Sequence, residues 1–190
     1  MDWLRFYYKR FFSSCIFIYS DIEWFLIIRE IVETPDFVYK MLSGESENMQ
    51  KKLFFGTNLK MYKTIADTVD YLQKLVSNTK DISRDRIELF VIPSYTSLNK
   101  SVESVDRNYI KLGAQNMCWE DQGQFTGEIS PLMLKELELD LVMIGHSERR
   151  HLFGESDVEE NKKVRSALNH GLIALLCIGE TLEEKNFGIS

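Results

Sequence analysis

The stretch "LDLVMIGHSERRHLFGES" runs as an apolar strand pattern to Gly145. It then presents His146, Ser147, Glu148, Arg149, Arg150 and His151 in succession. A histidine just past a strand end can serve as acid, base or electrophile at neutral pH. Earlier in the chain, "LFFGTNLK" ends a short strand on Asn58 and Lys60. A lysine there is a point charge for an anion, and Glu148 can pair with it or orient it if the two strand ends are neighbours. Read alone, each residue has a plainer alternative. His146 reads equally as a solvated or helix-capping residue, Lys60 as an exposed loop lysine, and Glu148 with Arg149 and Arg150 as a solvated patch worth little energy.

The elements that must position these groups alternate. Strands are predicted near 53–58, 87–92, 109–115, 139–144 and 172–178. "TIADTVDYLQKLVSN" carries Ile65, Val69, Leu72, Leu75 and Val76 on one helical face, with Thr64 and Asp67 as a weak capping box. Ser130 and Pro131 open another helix, and "SDVEENKKVRSALNHG" reads as a third that stops at Gly171. "ETLEEKNFG" begins one more. Near-continuous apolar strands alternating with helices call for an α/β fold, with parallel strands buried on both faces. The polar residues follow the strands: Asn58 and Lys60, then Gln115 and Asn116, then His146 and Glu148, then Glu180. In α/β folds the carboxyl ends of the strands are where ligands bind.

Composition narrows the function. The chain has 190 residues and a net charge of -6, against nucleic-acid binding, which needs clustered Lys and Arg. Three cysteines lie far apart, which suggests no disulfide framework and fits a reducing cytoplasm. Three scattered histidines make no metal site. The aromatic N-terminal run is broken by Asp21 and Glu23, so neither a membrane span nor a cleaved leader is expected.

The motifs "GTNLKMYKT", "LGAQNMCWEDQGQFTGEIS", "VMIGHSERR", "FGESD" and "LLCIGETLEE" together resemble the triosephosphate isomerase family, in the family's own order, from about Leu53 to Gly188. The resemblance implies a (β/α)8 barrel. It also implies a cofactor-free isomerase that interconverts D-glyceraldehyde 3-phosphate and dihydroxyacetone phosphate through an enediol, in glycolysis and gluconeogenesis, as a cytoplasmic homodimer. Asn58 and Lys60 match the family's Asn-x-Lys loop: Lys60 would offset the charge of the phosphate and the enediolate, and Asn58 would contact substrate and hold the loop. His146 matches the histidine that polarises the carbonyl and shuttles a proton, and this family is itself the standard illustration of such a neutral histidine at a helix N-terminus. Glu148 matches the glutamate that bonds the active-site lysine, and Cys177 the buried cysteine behind the base, where a small core hydrophobe is an equally satisfactory reading. "GQFTGE" matches the loop that enters the partner subunit, with Thr126 near the partner's site and Glu128 paired to Arg149 in support. His151 and His170 read as surface residues.

The departures set further expectations. A (β/α)8 barrel has eight strands and typically about 250 residues, whereas residues 49–190 hold five. An incomplete barrel of about five parallel βα units is expected, with two open sheet edges. It would lack the segment that carries the glutamate base, and hence be inactive. Residues 1–48 have no counterpart in the family and are expected to lie outside the barrel, as upstream sequence or an appendage. Leu59 and Tyr62 stand where most of the family has Trp and Asn, which leaves open a paralogous isomerase of another small sugar phosphate, such as a tetrulose phosphate. A non-catalytic remnant that binds an isomerase subunit through "GQFTGE" is a further alternative.

Overall fold

The structure, a computed structural model, describes residues 17–19, 24–28, 53–179 and 186–187. Five parallel strands stand side by side in chain order: β3 (Leu53–Asn58), β4 (Ile87–Ile92), β5 (Lys111–Ala114), β6 (Leu141–Ile144) and β7 (Ile173–Ile178). Between them run α1 (Ile65–Asn78), α2 (Tyr95–Ser104), α3 (Pro131–Glu136), then α4 (Ser147–Phe153) and α5 (Asp157–Asn169) before β7. Strands added strictly in sequence order, each after a helical crossover, curl into part of a barrel. The predicted α/β architecture of an incomplete barrel is the one found.

Strand alternation divides the core in two. Val91, Leu112, Ala114, Val142, Ile144 and Ala174 face the helices and join Leu72, Leu98 and Ala167 in the outer core. Phe54, Phe90, Ile92, Leu141, Met143, Leu175 and Cys177 form the inner cluster. Gly113 keeps the inner layer tight, because a Cβ there would lie 2.7 Å from Leu141 Cγ. Asn58 shares the inner face of β3 with Phe54, four positions along.

Local chemistry sets the helix starts. Thr64 and Asp67 complete a capping box on α1, as do Ser156 and Glu159 on α5. Ser130 caps α3 with Pro131 in its first turn. Helix α2 carried no clear signal in the sequence. Its buried face consists of Ser97, Leu98 and Ser101, so two of the three buried positions are hydroxyl residues. They are satisfied by Ser101 Oγ donating to the Ser97 carbonyl at 2.8 Å and by Thr68 Oγ1 bonding Ser97 Oγ at 3.4 Å. The helix predicted over 180–188 lies outside the described residues except for 186–187.

The five parallel strands are those expected, but the sheet has seven strands in all, and the edge expected to be open at β7 is paired. β1 (Phe17–Tyr19) pairs antiparallel with β2 (Trp24–Ile28), and β2 pairs antiparallel with β7, from Trp24 opposite Ile178 to Ile28 opposite Ala174. This hairpin opposes the five βα units in direction, so it is not one of them, yet it covers their β7 edge. An unpaired edge is a template for association with another chain. A chain shortened to residues 49–190 is therefore expected to self-associate more strongly than the full chain in light scattering. Equal behaviour of the two would show that the hairpin does not protect the edge.

Candidate active site

Asn58 ends β3, and the two residues after it reverse the chain. Lys60 adopts φ 49°, a left-handed conformation that costs a non-glycine residue roughly 1–2 kcal/mol. Two carboxamides hold it there. The Lys60 amide donates to Asn58 Oδ1 at 2.8 Å, and Gln115 Nε2, just past β5, donates to the Lys60 carbonyl at 2.8 Å and to Asn58 Oδ1 at 3.1 Å. At roughly 0.5–1.5 kcal/mol each, these bonds offset the strain. Asn58 Nδ2 turns inward to Met143 Sδ at 3.4 Å.

Lys60 Nζ then reaches Glu148 Oε1 at 2.7 Å across 88 residues of sequence. The bond from Lys60 holds the Glu148 carboxyl below its ordinary value, against a smaller opposing effect of burial. Glu148 lies in the first turn of α4, whose N-cap is His146. The His146 ring is buried, with 5% exposure. Its Nδ1 accepts from the Glu148 amide at 3.1 Å, while the Glu148 carboxylate stands off at 3.6 Å, too far for a hydrogen bond. An Nδ1 that accepts leaves the ring proton on Nε2, which becomes the donor. The geometry thus brings Asn58, Lys60, His146 and Glu148 together at the carboxyl ends of β3 and β6.

The loop from Trp119 to Ile129 follows β5 and exposes Thr126 and Glu128. It is braced by the Cys118 amide on the Ile129 carbonyl at 2.8 Å and by an edge-on contact of Trp119 with Phe125. The expected Glu128–Arg149 pair is corrected: Arg149 Nε donates to Glu155 Oε1 at 2.6 Å. His170 is half-buried, with Nδ1 2.7 Å from the Ser166 carbonyl and Nε2 3.1 Å from Asp121 of this loop. It is a tie between α5 and the loop, in contrast to the surface residue expected. His151 is exposed. Leu59 is buried in the outer core and Tyr62 is 86% exposed, so Leu59 does not line the site. Among the described residues no group of three or more His, Cys, Asp or Glu side chains could hold a metal, and no helix is long and apolar enough to cross a membrane.

Against known proteins, the sequence profile of triosephosphate isomerase matches residues 53–190. The chain belongs to the triosephosphate isomerase family. It is 48% identical over 137 residues to an L-erythrulose-1-phosphate isomerase of Rhizobium etli, covering 72% of this chain and 51% of that protein. A Brucella abortus protein of the same name is also 48% identical, over 72% of this chain and 53% of its own length. A triosephosphate isomerase of Clostridium tetani is 44% identical over 140 residues, 74% of this chain and 54% of its own. The chain spans about half the length of these curated relatives.

Sequence reading left Gln115 without a role, and its position after a strand was the available signal. It also missed the buried cluster behind Arg149. There Glu155 accepts from Lys163, Arg149 and Asn116, and Lys163 also donates to Asn116 Oδ1 at 3.0 Å. Burial pushes the Glu155 carboxyl up, but the bonds from Lys163 and Arg149 outweigh it and hold it below its ordinary value.

The Glu148 value gives a test. A carboxyl whose folded value is depressed contributes stability above its ordinary 4.5, lost as pH falls through the folded value. Both partners are over 40% exposed, so that contribution is below about 1 kcal/mol. In Lys60→Met the Glu148 carboxyl, followed by carbon NMR, is expected to titrate higher, back toward 4.5. An unchanged titration would mean that the Lys60 bond is not formed in solution.

Proposed function

We propose that this chain supplies the carbonyl-polarising half of an aldose–ketose isomerase for a short phosphorylated sugar. The observation that carries the reading is the Lys60–Glu148 bond formed beside the buried His146. Isomerisation removes a proton from the carbon next to the carbonyl, and the electron pair moves to oxygen as an enediolate. His146 Nε2–H is the donor for that oxygen and passes a proton between the two oxygens. A preorganised donor of this kind is worth on the order of 10²–10³ in rate. Lys60 offsets the negative charge of the enediolate and the phosphate, Glu148 orients Lys60, and Asn58 holds the loop. No base for the C–H proton is assigned among the described residues.

Two substrate lengths fit this chemistry. A four-carbon ketose phosphate is favoured by the names of the relatives at 48% identity. Triose phosphates, with glycolysis and gluconeogenesis as the setting and a cytoplasmic homodimer as the assembly, are favoured by the family itself and by the Clostridium tetani relative. In the dimer the exposed loop with Thr126 and Glu128 is the contact we assign to the partner.

Titration of the 190-residue chain with L-erythrulose 1-phosphate and with dihydroxyacetone phosphate, followed by amide NMR, tests both points. Saturable shifts are expected at Asn58, Lys60, Gln115 and His146, with the four-carbon ligand bound more tightly. Lys60→Met is expected to weaken binding by roughly tenfold, ~1.4 kcal/mol. Shifts elsewhere or none would contradict the site, and tighter binding of dihydroxyacetone phosphate would return the substrate to the triose.

A further inference from the structure

Behind the turn that presents His146 lies a second set of charged groups that the proposed chemistry does not use. Glu160 on α5 is 3% exposed, and its Oε2 pairs with Arg150 Nη2 on α4. The same guanidinium donates from Nε to the Gly145 carbonyl at 2.8 Å and from Nη1 to Asp157 Oδ1 at 2.6 Å. Arg150 therefore bridges a buried carboxylate to the peptide that leads into His146. The site is closely packed. Gly145 sits at φ 72°, which glycine adopts without strain, and a Cβ there would lie 2.9 Å from Glu160 Oε2 and 3.0 Å from Arg150 Nη2. Glu160 Oε1 is buried with no hydrogen-bond partner. A buried charge with an unsatisfied oxygen is costly, so a carboxylate retained here calls for a role beyond packing.

We propose that Glu160 is a positioning residue for His146, acting through Arg150 and the Gly145 carbonyl. The inference rests on the reading of His146 as the ring that polarises the substrate carbonyl. With Glu160 ionised, the guanidinium is held from behind and keeps its bond to the Gly145 carbonyl. With Glu160 protonated, Arg150 keeps only Asp157, whose side chain is 83% exposed, as a charged partner, and the turn before His146 relaxes. Burial pushes the Glu160 carboxyl up to about 7; Arg150 and Lys163 pull it down, and Asp157 and Glu155 push it up. Those four groups, on α4, on α5 and in the loop between them, face Glu160, with His146 beyond Gly145. Because the folded value is raised above 4.5, the associated stability is full below 4.5 and is lost as pH rises through about 7.

The test is a pH titration of the full chain by amide NMR, with no sugar phosphate present. The Gly145 and His146 amide shifts are expected to titrate with a midpoint of about 7. That midpoint should disappear in Glu160→Gln, while amides far from the turn keep their shifts. The fall in urea midpoint between pH 4.5 and about 7 should flatten relative to the unsubstituted chain. A midpoint that persists in Glu160→Gln does not come from Glu160 and overturns the proposal. If Glu160→Gln does not fold, the labelled Glu160 carboxyl carbon of the unsubstituted chain is compared with the Gly145 amide. A shared midpoint supports the coupling and separate midpoints refute it. Failure of sugar phosphates to bind would leave this result standing, so the two readings fall separately.

Discussion

The bond between Lys60 and Glu148 spans 88 residues, and the rest of the site depends on the constraint that permits it. Parallel strands laid down in chain order bring the carboxyl ends of β3 and β6 onto one rim. The interaction contributes little to stability, because both side chains remain over 40% exposed. Its importance is geometric. It fixes a cation where a buried imidazole presents a donor, and in a partly desolvated rim that placement matters more than the pair's own energy.

A hierarchy of smaller interactions sustains it. Gln115 and Asn58 hold Lys60 in a conformation it would otherwise avoid. The Glu148 amide fixes the His146 ring from the other side. Behind α4, Arg149 and Arg150 each find a buried glutamate on or beside α5, Glu155 and Glu160. The run of ionisable residues after Gly145 thus has two destinations, the rim for His146 and Glu148 and the helix interface for the two arginines. Buried pairs of this kind are weak evidence for net stability but strongly resist loss of one partner, which suits a short helix of seven residues that must hold a ring in place.

Much of this was legible in the sequence. Apolar runs marked all five parallel strands, and cap residues marked α1, α3 and α5. The rim groups were legible through their position after strands and through family motifs. What escaped was set by tertiary contact. Helix α2 buries serines, so hydrophobic periodicity could not reveal it. Arg149 faces Glu155 and not Glu128, a choice made by how α4 packs on α5. Leu59 bears on the substrate in the sequence because it stands where most of the family has Trp, yet the turn directs it into the outer core. The pairing of β2 with β7 joins positions more than a hundred residues apart, and no local pattern encodes such a register.

The most direct measurement is the tautomer of His146, read by long-range nitrogen–proton NMR on the neutral ring. With the Glu148 amide donating to Nδ1, Nδ1 should give the signal of an unprotonated nitrogen and Nε2 that of a protonated one. A proton on Nδ1 would leave Nε2 unable to donate to a substrate oxygen and would contradict the site described above.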